Sequence, residues 1–255
     1  MIYLLIFILG SMIGSFLNVC IYRMPRNESI VFPGSRCVSC KKSVLWYDNI
    51  PFLSYIFLKG NCRFCKAKIS PRYFAVEFIS ALTALVLFVY FGPTYRFWIY
   101  SLLTFSLVIV TFIDLEFQII PDSISIGGLV LGIIMSAFIP ALHNVFVWKA
   151  GLVKSLIGAL TGGGLIYLTG LLGQFIFKKE SMGGGDVKLM AMLGAFLGWK
   201  MAVLIFFLAP FFGTPAGIYL KFKKKHDIIP YGPYISIASF VVMIWGENIL
   251  SLLFL

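Results

Sequence analysis

Residues 97–122 run FWIYSLLTFSLVIVTFIDLEFQIIPD, seventeen uncharged residues followed by Asp114, Glu116 and Asp122. A helix on a soluble core would show a polar face every turn. An unbroken apolar run with acids massed at one end reads instead as a membrane span emerging at the bilayer surface. Comparable runs recur at 2–22, 73–91, 123–140, 151–177, 187–198, 201–220 and 233–255. Of the 255 residues, 60% are hydrophobic and 12% charged, with a mean hydropathy of +0.96. Soluble domains run near 45–50% apolar and about 25% charged. A soluble enzyme and a single-pass anchored domain are both excluded.

Eight spans of about 20 residues would use roughly 160 positions. The expected fold is an all-α polytopic membrane protein with about eight transmembrane helices and a small cytoplasmic loop domain. Residues 1–22 form the first helix, 23–72 the polar loop domain, and 73–255 a bundle of about seven helices. The first segment lacks a basic n-region and a small-residue cleavage site, so it reads as a span and not a signal peptide. Segment 187–198 rises only about 18 Å. It can cross only with its start sunk inside protein, which Gly183, Gly184 and Gly185 would permit. No internal repeat is evident.

The net charge is +11, and residues 23–72 supply +8 of it, with ten Lys/Arg against Glu28 and Asp48. With that loop in the cytoplasm, seventeen Lys/Arg fall on the cytoplasmic side and four (Arg96, Lys149, Lys154, Lys200) opposite. The positive-inside rule produces this distribution without any nucleic-acid partner, and none is expected; the partner is the bilayer.

Four of the five cysteines stand as Cys37-x2-Cys40 and Cys62-x2-Cys65. Paired CxxC knuckles at this separation are a zinc pattern, and four thiolates make a closed structural site with no open catalytic position. A disulfide pair would suit an oxidising compartment, whereas this loop is placed in the reducing cytoplasm. Cys20, inside the first span, reads as packing.

Asp114 and Asp186, the latter in Gly183-Gly184-Gly185-Asp186-Val187-Lys188, close the cytoplasmic ends of different spans and can meet inside the bundle. Intramembrane acids cost about 2.5–3.5 kcal/mol each on insertion scales. Two carboxylates held together share a proton and titrate as a unit, a state suited to hydrolysing a peptide bond. The bland alternative is a buried pair with Lys188. Asp122, after Pro121, suits a helix N-cap. Glu77 suits an ion pair with Arg72 or Arg23. His143 falls on the outer face and His226 in a basic loop.

Together these residues resemble the bacterial type IV prepilin leader peptidases, membrane aspartic proteases of the GxGD type. The resemblance rests on GSFLNVCIYRMP (14–25), the cysteine segment through 77, IDLEFQIIPD (113–122), GGGDVKLMAMLGAFLGW (183–199) and IPYGP (229–233), in that order. It implies cleavage of prepilin or pseudopilin leaders, which are short and basic, after a glycine at the cytoplasmic face of the bacterial inner membrane. Asp114 and Asp186 would be the catalytic pair. It also implies N-methylation of the new terminal residue, usually Phe, from S-adenosylmethionine, with Gly60 tied to that activity. The rivals are a GxGD peptidase without methyl transfer, a proton- or cation-coupled transporter, and a tethered zinc-ribbon recruitment module. The chain carries no sign of its oligomeric state.

Overall fold

The computed structural model describes residues 1–178, 183–224 and 230–253, with backbone alone at 177 and 216–224. Among these residues there is no strand, only isolated bridges at Arg36–Ser43 and Asn61–Lys68. The helices are α1 (Ile2–Arg23), α2 (Leu53–Phe57), α3 (Arg72–Phe91), α4 (Tyr95–Phe117), α5 (Asp122–Phe138), α6 (Trp148–Phe177), α7 (Gly184–Leu197), α8 (Trp199–Lys224) and α9 (Gly232–Leu253). All but α2 coincide with the expected apolar segments. Five of them, α1, α3, α4, α6 and α9, are long and apolar enough to cross a membrane. The eight expected apolar segments are five long helices and three shorter ones: α5, α7, which was expected to be short, and the apolar Trp199–Pro215 part of α8. The chain divides into two compact units, Met1–Ile113 and Asp114–Leu255.

In the first unit α1 packs on α3 through Gly10 and Gly14. A Cβ on Gly14 would stand 2.7 Å from the Glu77 Cα, and one on Gly10 2.9 Å from the Ala81 Cα. Small residues four apart bring two spans to backbone contact, where dispersion and not water expulsion holds them. Asn18 Nδ2 donates across this seam to the Tyr73 carbonyl at 3.0 Å, and Cys20 is buried as expected.

In the second unit α7 lies against α5, α6, α8 and α9. It buries Leu189, Met190, Met192, Leu193, Ala195 and Phe196. Gly158 of α6 and Gly194 of α7 each face the other's carbonyl, and Gly162 faces that of Met190. On α5, Gly128 and Gly132 leave room for Met192 and Phe196. The shortest apolar helix is therefore wrapped by protein, the condition under which non-helical backbone at its start is tolerated in a membrane.

The far end of α7 is tied down by polar groups. Gly198, at φ +82°, terminates the helix. Ser136 of α5 and Ser155 of α6 donate to the Ala195 carbonyl at 3.1 and 2.8 Å, satisfying an acceptor that the helix end orphans. With its proton on Ala195, Ser136 Oγ accepts from His143 Nε2 at 2.9 Å. His143 is buried in this knot.

Gly194→Leu is expected to overpack the α6–α7 seam by about 1–3 kcal/mol or more, read as a lower Tm in detergent. Gly164→Ala, where a Cβ meets nothing within 4 Å, should leave Tm unchanged or slightly higher.

Candidate active site

Asp114 lies in the last turn of α4, directly after the fully buried Ile113, and is only 5% exposed. Its Oδ2 accepts the Gly232 N–H at 2.9 Å. Gly232 is the first residue of α9, so the carboxylate sits where a helix start offers unsatisfied N–H groups and positive potential. A Cβ at 232 would stand 2.8 Å from Oδ2 and 3.3 Å from Cγ. Only glycine lets the carboxylate lie this close to the backbone.

Asp186 is the third helical residue of α7, counted from Gly183 at the N-cap in extended conformation. Its N–H donates to the Gly183 carbonyl at 3.1 Å, and a backbone hydrogen bond at Gly183 returns to its carboxylate. The second bond is one half of a capping box; the other half is missing because glycine has no side chain to supply it. The three glycines differ in role. A Cβ at Gly183 would approach Asp186 Oδ2 at 3.4 Å, one at Gly185 would meet the Ile120 Cβ at 3.0 Å, and one at Gly184 would meet nothing within 4 Å. Gly185 thus seats α7 on the segment joining α4 to α5, and at Gly184 no described residue stands where a side chain would begin.

Asp186 lies within the field of Asp114. Tyr231 lies within the field of Asp186 and Tyr234 within that of Asp114. The structure brings together the two expected carboxylates with the start of α9. Gly232, Tyr231 and Tyr234 were not singled out as site residues from sequence. Their signal was a Tyr-Gly-Pro segment opening a span, since helix starts attract carboxylates.

Lys188 does not neutralise this pair. Its Nζ meets Asp122 Oδ1 at 2.6 Å, an exposed bridge worth about 0–1 kcal/mol. Asp122 is not an N-cap: Pro121, in extended conformation, holds that place without a side-chain cap, and its carbonyl takes the Ile124 and Ser125 N–H groups. The helix therefore starts one residue earlier than expected, freeing Asp122 for Lys188. Glu77 is buried and accepts the Phe52 N–H at 3.0 Å and a hydrogen bond from Ser15. Arg23, proposed as its ion partner, donates to the Ser29 and Gly34 carbonyls. His226 lies outside the described residues.

The four cysteine sulfurs of Cys37, Cys40, Cys62 and Cys65 lie within 4.8 Å of one another and could hold a metal ion. The two knuckles share one backbone plan, a repeat hidden in the sequence because little beyond the cysteines is common to both. Cys37 N–H donates to Lys42 O and Cys62 N–H to Ala67 O, each at 2.9 Å; Lys41 and Lys66 donate back to the cysteine carbonyls at 3.0 Å. Lys41 and Lys66 take φ of +60° and +59°. N–H groups of Cys65 and Phe64 pull the Cys62 thiol down to about 6, while, against the Ala67 N–H, burial and the neighbouring sulfurs push the Cys65 thiol up to about 11. Arg63 clamps Asp48 with two bonds of 2.6 and 2.7 Å, holding that carboxyl below its ordinary range. Gly60, at φ +67°, donates to the Tyr55 carbonyl at 2.9 Å; a Cβ there would press on the Tyr55 hydroxyl at 3.1 Å.

Two family profiles match. Residues 8–91 match the bacterial peptidase A24 N-terminal domain, and residues 101–218 match the type IV leader peptidase family. The chain belongs to the type IV leader peptidase family. It is 33% identical to the prepilin leader peptidase/N-methyltransferase of Pseudomonas putida over 267 residues, 95% of this chain and 90% of that one. The protein of the same name from Legionella pneumophila is 33% identical, with 98% and 93% covered. That of Myxococcus xanthus is 38% identical over 213 residues, with 84% and 61% covered. No solved structure matches.

Full-length protein purified in detergent should carry one metal ion per chain by elemental mass spectrometry. Cys37→Ser or Cys62→Ser should lose it, with the loop then open to protease while the spans stay protected.

Proposed function

We propose that this chain is a membrane-embedded aspartic endopeptidase that cuts leaders from type IV prepilins or pseudopilins and methylates the new amino terminus. Family membership supports the reaction class. The observation that carries the site assignment is the approach of Asp114 and Asp186 from α4 and α7, with the Gly232 N–H bound to one of them. Lone intramembrane acids would also suit a transporter, but the family and the cysteine loop do not favour that reading.

Charge repulsion within the pair favours a state with one shared proton. The ionised carboxylate takes a proton from water, whose oxygen attacks the scissile carbonyl. The protonated partner then gives its proton to the departing nitrogen, so the pair ends with its single proton restored. The Gly232 N–H stabilises charge on Asp114 and orients it. Gly184, with no side chain of its own, lets substrate backbone approach closely. The excess of Lys/Arg in loop 23–72 supports a cytoplasmic position for that loop and for the carboxylate pair.

Zinc suits the cysteine cluster. A tetrahedron of sulfurs about 2.3 Å from zinc has edges of about 3.8 Å, and Cys37 Sγ to Cys65 Sγ is 3.8 Å. With four thiolates and no open position the ion would brace residues 23–72 without entering the chemistry. S-adenosylmethionine is the proposed donor and would supply an electrophilic methyl group to the terminal amine. Gly60 acts there by shape: its left-handed turn keeps Tyr55 in place beneath the second knuckle.

Asp114→Asn and Asp186→Asn are each expected to lower cleavage of a Gly-Phe prepilin by about 10²–10⁴-fold at unchanged membrane levels, scored by mass spectrometry of the product terminus. Substantial cleavage in both would sink the assignment. Gly232→Ala, which displaces the Asp114 carboxylate, should cost up to about 10²-fold. The wild-type rate should follow a bell-shaped pH profile set by the pair together.

A further inference from the structure

We propose that the outward face of α2 with the turn before it, comprising Trp46, Leu53, Ile56 and Phe57, inserts among anionic phospholipid headgroups. The proposal concerns the cysteine loop as a membrane-interface module and does not depend on the peptidase chemistry.

Attachment to the membrane spans is the first ground. Phe52, the residue that opens α2, stacks on Phe7 of α1 at 5.7 Å and meets Phe74 and Phe78 of α3 at 5.4 and 6.4 Å. Its N–H is held by Glu77 of α3, which fixes a φ of +62° that a bulky residue seldom adopts. Both partner helices are long membrane spans. The start of α2 is thereby pinned to the flank of the two spans.

The second ground is that α2 is apolar on both sides. Inward, Tyr55 packs on Phe74 at 5.8 Å and its hydroxyl reaches the Ile69 carbonyl. Outward, Leu53, Ile56 and Phe57 are 51%, 60% and 80% exposed, and Trp46 is 80% exposed. Ser54 donates to the Tyr47 carbonyl at 3.0 Å, which sets the Trp46 turn beside α2. Aromatic residues flanked by cations are the composition of interfacial anchors.

Charge selects the occupant. The loop carries +8, and its acids Glu28 and Asp48 are already bridged by Arg36 and Arg63. Lys59, Lys66 and Lys68 are exposed on the segment that follows α2. Such a surface attracts anionic headgroups within a Debye length and would repel the basic leader of a prepilin.

The test uses full-length protein in nanodiscs of phosphatidylglycerol and phosphatidylcholine. Trp46 emission is isolated as the difference between wild type and Trp46→Phe. Phe57→Trp in the Trp46→Phe background gives a second probe, with metal content as the check on folding. Acyl-chain-brominated phosphatidylcholine should quench both probes about twofold, and acrylamide should quench them less than in detergent. All-phosphatidylcholine discs should weaken the bromolipid quenching. Probes untouched by bromolipid and open to acrylamide would overturn the proposal. Equal quenching in zwitterionic discs would overturn its electrostatic part. Shielding that arises only on adding prepilin, without bromolipid quenching, would assign the face to a protein partner and also overturn it.

Discussion

The contact of bare backbone between α6 and α7, at Gly158 and Gly194, is the constraint from which the second unit follows. A helix of 14 residues rises about 21 Å, well short of a hydrocarbon core about 30 Å thick. Such a helix cannot face lipid at its ends, where unpaired N–H and C=O groups would go unsatisfied. Glycines on α5 and α6 let neighbours close around α7, and Ser136, Ser155 and His143 occupy its far end. The near end can then open on Gly183–Gly185 and present Asp186 inside protein.

Asp114 meets the same constraint differently. It is buried in the last turn of a long span and takes its compensation from the N–H at the start of α9. One acid is thus held by its own helix start and the other by a neighbour's. The two carboxylates keep separate supports, although Asp186 lies in the field of Asp114. The one cation close in sequence, Lys188, is bound to Asp122 and leaves the pair without a counter-ion from that side chain.

In the first unit the corresponding organising contact is Phe52. A loop with ten cations that leaves Trp46, Ile56 and Phe57 exposed buries little core of its own, so its shape depends on two fasteners. Four sulfurs gather the knuckles, and the ring and N–H of Phe52 fix the intervening segment to α1 and α3. Gly60, at a left-handed turn between α2 and the second knuckle, joins these fasteners.

Sequence alone determined the class of fold, the apolar helices and the cysteine tetrad, and it singled out the two aspartates. Each is carried by composition, by the length of an apolar run, or by short spacing along the chain, and such features survive whatever the tertiary arrangement. Only the tertiary structure decided that Lys188 pairs with Asp122, 66 residues away, and that Glu77 holds a backbone N–H where an arginine was expected. The role of Gly232 and the common plan of the two knuckles also belong to it. Partner choice depends on which helix faces meet and how closely, and that is set by the summed packing of glycines and side chains distant in sequence. Apolar periodicity shows that a face is buried; in a membrane, where nearly every face is apolar, it does not show against what.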